Sequence, residues 1–176
     1  MTNEKKLNIL YKEEEIQAAI HKLAEKLNDI YANEEIYLIC VLKGSVMFTV
    51  DLAKRLTMPV KMEFIRLSSY GSGTKSSGNI NSVNISLSDL NNKNVIIVED
   101  IIDTGHTAKF LIDYLKSNYS VKSLKFCSLL DKKSRRELDI NADYYCFDID
   151  DKFIVGYGLD LDEQYRNLPY IGYIED

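Results

Sequence analysis

Two stretches, IYLICVL at 36–42 and VIIV at 95–98, are apolar at every position. Successive side chains of a strand point to opposite faces. A strand apolar on both faces must be covered on both, as in a parallel sheet held between layers of helices. The remainder of the chain supplies such layers. Residues 13–30 place Ile16, Ala19, Ile20, Leu23 and Leu27 at helical spacing. Residues 46–56 and 104–117 read as further helices; 60–67, 124–130, 144–147 and 153–155 read as further strands. This alternation predicts an α/β fold: an open, mostly parallel twisted sheet flanked by helices. The 176 residues suit one domain, with no repeat, linker or shift of composition to divide them.

In open sheets of this kind ligands lie beyond the carboxyl ends of the strands. Three turns stand there, after Leu42, Val98 and Leu130. The second is the most informative: VIIVEDIIDTGHTAKFL (95–111) runs from a buried strand into Glu99, Asp100 and Asp103, then into Thr104-Gly105-His106-Thr107. Glycine lets backbone approach a phosphate, threonine supplies hydroxyl donors, and helix-start amides carry a positive partial charge. Two adjacent carboxylates on an apolar strand need a partner, because burying charge is costly. A divalent cation or sugar hydroxyls would serve. An N-capped helix with an acidic first turn is the plainer alternative.

Other features carry less. The loop Gly71 to Gly78 lacks the Lys-Ser/Thr that a phosphate-binding P-loop requires, since Asn79-Ile80 follow its last glycine. Its glycines also miss the dinucleotide spacing, so the Ser/Gly/Asn-rich stretch 68–82 reads as a lid. Asp148-Ile149-Asp150-Asp151 reads as a solvated turn and His21 as an isolated helix residue. Cys40, Cys127 and Cys146 include no C-x-x-C pair, which disfavours a disulfide framework or zinc site and points to a reducing cytoplasm. A net charge of −5 argues against general nucleic-acid or membrane binding, and no apolar run reaches the length of a membrane helix.

VIIVEDIIDTGHT closely resembles the phosphoribosyl-diphosphate (PRPP) signature of the type I phosphoribosyltransferases, within them the hypoxanthine-guanine branch. VLKGS (41–45) resembles the family's diphosphate loop and FIRLSSYGSGTKSSG (64–78) its mobile catalytic loop. SLLDKKSRR (128–136) resembles the strand end with the base-reading lysine, and DKFIVGYGLDLDEQYRNLPYIG (151–172) the base-binding hood. The motifs keep the family's order over most of residues 38–172.

The resemblance implies a single domain over 1–176, with a core of about 35–145 and a hood formed by about 1–12 and 146–176. It implies Mg²⁺-dependent transfer of phosphoribose from PRPP to hypoxanthine or guanine, giving IMP or GMP and diphosphate. Lys43, Gly44 and Arg166 match diphosphate contacts. In the family the bond before this lysine, here Leu42–Lys43, can be cis. Glu99 and Asp100 match ribose and metal residues; Asp103, Thr104, Gly105, His106 and Thr107 match the 5′-phosphate turn, with His106 in a supporting place. Asp103 also matches a general base at purine N7, and Asp160 a metal-associated aspartate near the base. Lys132 matches the donor to the purine O6, Phe153 a stacking ring, Ile154 a backbone contact to the purine edge, and Ser69 with Tyr70 the lid pair. A homodimer or homotetramer is implied as well. Two competing expectations stand beside this one. A regulatory relative that binds RNA or DNA should show a basic face, and a transferase for adenine should lack the donor-only Lys132.

Overall fold

The computed structural model describes residues 6–69, 80–81 and 85–175. Five strands form one parallel sheet: β2 (Ile36–Leu42), β3 (Val60–Arg66), β6 (Asn94–Ile102), β7 (Ser123–Asp131) and β8 (Tyr144–Asp148), in the order β3-β2-β6-β7-β8. Among the described residues, three α-helices flank it: α1 (Glu13–Ile30), α2 (Val46–Ala53) and α3 (His106–Asn118). The strand pleat divides the apolar runs between two cores. Ile36, Leu38, Ile96 and Val98 face a cluster that includes Ile16, Leu23 and Leu27 of α1 and Phe48 of α2. Tyr37, Ile39, Val95 and Ile97 face a second cluster with Leu111 and Leu115 of α3. Two-sided hydrophobicity thus becomes two-sided coverage, as the sequence predicts.

Beyond the central sheet, β1 (Leu7–Tyr11), β9 (Phe153–Val155) and β10 (Ile171–Ile174) form a small antiparallel sheet in the order β1-β10-β9. Sequence patterning picks out only β9 of these. Two short strands, β4 (Ser68–Ser69) and β5 (Ile80–Asn81), pair at the two ends of the Ser/Gly/Asn-rich stretch. Tyr70 and the loop 71–78 lie outside the described residues.

Several element ends differ from expectation. α2 stops at Ala53 rather than 56. Asn28 holds the turn that follows, donating to the Arg55 carbonyl at 3.1 Å and accepting from the Thr57 amide at 2.9 Å. α3 begins at His106 rather than 104, because Gly105 takes φ 93°, a left-handed conformation that favours glycine. β6 continues past the apolar run to Ile102, since its ladder with β7 extends to Ile102 opposite Asp131. Among the described residues, no helix is long and apolar enough to cross a membrane. All three cysteines are free; Cys40 and Cys127 are buried and Cys146 is half-buried.

Candidate active site

At the carboxyl ends of β2 and β6 a cavity of about 290 Å³ gathers, besides Leu67 after β3, residues from three distant segments. Lys43 and Gly44 enter from the turn after β2, and Glu99, Asp100 and Thr107 from β6 and the start of α3. Asp160 and Arg166 enter from the turns between β9 and β10, where no helix forms. The Leu42–Lys43 peptide is cis.

Close backbone packing builds the cavity floor. A β-carbon on Gly44 would lie 1.6 Å from Asp100 Oδ2, so any larger residue here must displace the Asp100 carboxylate. Gly158, at φ 103°, presses on the same turn: a β-carbon there would lie 2.0 Å from the Gly44 carbonyl oxygen. The turn after β9 is therefore seated directly on the turn after β2.

Charge in the cavity is uneven. Glu99 is 7% exposed and makes no described side-chain hydrogen bond. Burial, then the neighbouring Asp100 charge, pushes its carboxyl well above the usual range. Burial also raises Asp100, to about 6, although its Oδ1 accepts a hydrogen bond from the Ile101 amide and Arg166 lies near. Asp160 already has partners: its Oδ1 pairs with Arg166 at 2.8 Å and its Oδ2 accepts from the Glu163 amide at 2.8 Å. Lys43 meets Glu163 at 2.6 Å. Among the described residues, Glu99 and the second oxygen of Asp100 are thus left without hydrogen-bond donors, an oxygen pair suited to sugar hydroxyls or a hard cation. Among the described residues, no three acidic, His or Cys side chains cluster to hold a metal by themselves. Mg²⁺ rarely needs such a cage, being held by one or two carboxylates plus ligand phosphates.

The turn 103–107 follows. Among the described residues, the backbone amides of Thr104 to Ala108 donate to no protein acceptor; the first bond into the helix is Lys109 N to the Gly105 carbonyl, 2.9 Å. Unpaired amides at the start of a 13-residue helix make a seat for an anion. His106 turns aside, its Nε2 lying 2.8 Å from Glu137. Asp103 Oδ1 is buried without a partner, and its Oδ2 lies 3.6 Å from Arg135.

Lys132 sits at the end of the neighbouring strand β7. It is buried, and its Nζ donates to the Lys152 carbonyl at 2.8 Å, with Asp151 at 3.4 Å. These contacts bring it beside Phe153, which is 53% exposed, and Ile154, which is buried in β9. Described contacts tie Asp160 to the Lys43 side of the site and not to Lys132. Ser69 lies in β4. A second cavity of about 300 Å³, lined by Tyr11, Lys133 and Asp148 among others, contains none of the expected site residues.

Sequence reasoning misses Arg135, Arg136 and Gly158. The two arginines look like a solvated run in KKSRR. The available signal is Asp131, a carboxylate ending an apolar strand, which needs a cation beside it.

The phosphoribosyl transferase domain family matches residues 7–162. The hypoxanthine-guanine phosphoribosyltransferase of Aquifex aeolicus (strain VF5) is 46% identical over 173 residues, covering 98% of this chain and 97% of that protein. That of Streptococcus thermophilus (strain CNRZ 1066) is 42% identical over 168 residues, covering 96% and 93%. Among solved structures, a hypoxanthine-guanine phosphoribosyltransferase from Bacillus anthracis aligns with a TM-score of 0.90 at 44% identity, covering 98% of this chain and all of that one. A hypoxanthine phosphoribosyltransferase mutant from Trypanosoma cruzi, in a ternary substrates complex, aligns with a TM-score of 0.87 at 39% identity, covering 96% and 95%.

Proposed function

The chain belongs to the phosphoribosyl transferase family, and from that membership we propose that it transfers the 5-phosphoribosyl group of PRPP to hypoxanthine and guanine. It is a transferase of purine salvage; the products are IMP or GMP and diphosphate. The observation that carries this reading is one juxtaposition. Unpaired amides at 104–108 and the acceptors Glu99 and Asp100 end one strand, while the buried Lys132 ends the next.

The roles follow from donor and acceptor chemistry. The amides of the turn and the threonine hydroxyls bind the 5′-phosphate. Glu99 and Asp100 accept from the ribose hydroxyls. Lys43, the Gly44 backbone and Arg166 bind diphosphate. Lys132 has donors only, so it selects a 6-oxo over a 6-amino group. Phe153 offers an exposed ring for the purine to stack on, with the Ile154 backbone at the purine edge. Asp103 accepts the N7 proton as positive charge develops on the ring. Ser69 and Tyr70 are assigned to the lid that excludes water.

Mg²⁺ is the assigned cofactor, held by Glu99 and Asp100 with Asp160 near them. The buried, charge-disfavoured carboxylate pair supports this, because a cation restores the ionised form. When bound, Mg²⁺ would neutralise charge on the departing diphosphate. The three free thiols support a cytoplasmic setting. Exposed Met47 and Val50 on α2 and Phe64 on β3 support a homodimer or homotetramer, since a second copy would cover them.

The test is direct. The protein is mixed with PRPP, Mg²⁺ and, separately, hypoxanthine, guanine, xanthine and adenine, and nucleotides are separated by chromatography. Product is expected from hypoxanthine and guanine and not from adenine. No product from any 6-oxopurine refutes the reading.

A further inference from the structure

Arg136 follows the 3₁₀ turn Lys133–Arg135, and its side chain is only 11% exposed. Its guanidinium reaches three segments. Nε donates to the Asp103 carbonyl at 2.9 Å, and Nη2 lies 3.4 Å from the Ile102 carbonyl. Nη1 donates to the Ile140 carbonyl, and Nη2 pairs with Asp131. Asp131 is 1% exposed, so the arginine is the main charge partner of a carboxylate with almost no access to water; Lys133 is more distant at 4.0 Å.

These contacts lie where the sheet ceases to hold the chain. The β6–β7 ladder ends at Ile102 opposite Asp131. Beyond that pair, the phosphate turn 103–107 and the segment 132–138 leave the sheet separately. Backbone bonds lace them in part: Lys132 N to the Ile102 carbonyl at 3.0 Å, and Glu137 N to the Thr104 carbonyl at 3.0 Å. Arg136 closes the gap between them, its Cδ lying 3.1 Å from where a β-carbon on Gly105 would stand. A planar guanidinium with five N–H donors can serve several acceptors at once; an ammonium on a flexible stem cannot hold the same spread of carbonyls.

We propose that Arg136 is a positioning residue that fixes the phosphate turn relative to Lys132, and so sets the distance between the 5′-phosphate seat and the purine. It touches neither ligand; it acts through the backbone of Asp103 and the strand end that carries Lys132. The inference rests on the purine phosphoribosyltransferase reading above. Its consequence is selective. A ligand spanning both ends needs their separation to be right, whereas a ligand of one end does not.

Three probes separate these cases: IMP spans both ends, ribose 5-phosphate engages the phosphate turn, and inosine engages the purine end. Two variants keep the fold in view. Arg136→Lys retains a cation for Asp131 but cannot span the carbonyls. Arg136→Met combined with Asp131→Asn leaves no unpaired buried carboxylate. Affinities are measured by calorimetry well below each variant's thermal midpoint. IMP affinity is expected to fall at least about tenfold in both variants, which is about 1.4 kcal/mol, while ribose 5-phosphate and inosine stay within about threefold. Turnover should fall more than either KM changes. Unchanged IMP affinity, or an equal loss for all three probes, overturns the proposal and leaves Arg136 a stabilising residue. The two readings fail differently: a wild type that neither binds IMP nor makes nucleotide refutes the assigned function. A competent wild type with Arg136 variants that behave like it refutes the positioning role alone.

Discussion

Lys43 and Arg166, the two cations assigned to diphosphate, share one internal carboxylate: Glu163 lies 2.6 Å from Lys43 and 3.3 Å from Arg166. The hydrogen bond from Lys43, then that from Arg166, holds the Glu163 carboxyl below its usual range. Diphosphate bound as proposed would displace this carboxylate to reach both cations. Glu163→Gln should therefore tighten binding of PRPP and diphosphate. Glu163 and Lys43 are exposed, so the gain should be no more than about fivefold and should shrink with salt. Titration of diphosphate at two ionic strengths checks this, and weaker binding by the variant would contradict it.

The contact of Gly158 with Gly44 makes a second prediction. Alanine at 158 must adopt φ 103° and bring its β-carbon into the Gly44 carbonyl. The local strain should cost about 1–3 kcal/mol. Relief comes most readily by moving the turn after β2, which carries the proposed diphosphate contacts. The KM for PRPP should then rise more than the KM for hypoxanthine. Steady-state kinetics with each substrate varied in turn distinguishes this from a general loss of active protein.

What the sequence makes legible follows from the reach of each signal. The runs 36–42 and 95–98 announce a two-sided sheet because each residue's neighbours along the strand carry the pattern. The small sheet is different. β1 and β10 are short: β1 is a strand because β10, from the opposite end of the chain, pairs with it, and β10 lies between β1 and β9. Lys43, Glu99 and Asp160 could be assigned by resemblance, and the cavity they share appears only once the turns are folded together. Arg136 escapes notice because a Lys/Arg run reads as surface. Its burial depends on Asp131 and on carbonyls thirty-odd residues upstream.

Asp103 provides the most direct test of chemistry. Its Oδ1 has no partner, and its backbone carbonyl, not its carboxylate, receives Arg136. Asp103→Asn should leave the turn in place while removing the proposed proton acceptor. Turnover should fall by ~10²–10⁴, the usual value of general-base help. The Kd for PRPP should stay close to that of the wild type, as fluorescence or calorimetric titration would reveal. Loss of PRPP binding would instead make the carboxylate part of the phosphate seat.

Asp51 tests the link between the hood turn and the helical layer. The Tyr157 hydroxyl donates to Asp51 at 2.6 Å and Gln17 Nε2 donates to it at 2.8 Å, while Lys54 pairs with it at 2.7 Å. Burial alone would raise this carboxyl, but the hydrogen bonds from Lys54, Tyr157 and Gln17 outweigh burial and hold it at about 2, from 3.8. A folded-state value below the unfolded one stabilises the protein above the unfolded value. That contribution is lost as pH falls through the folded value. The shift corresponds to about 2 kcal/mol, an upper figure for a side chain with some exposure to water. Asp51→Asn should therefore lower stability by about 1–2 kcal/mol at pH 7. The gap between wild type and variant should close as pH falls from about 4 towards 2. Thermal midpoints measured across that range give the comparison, and a gap that stays constant down to pH 2.5 would show that the ionised carboxylate is not its source.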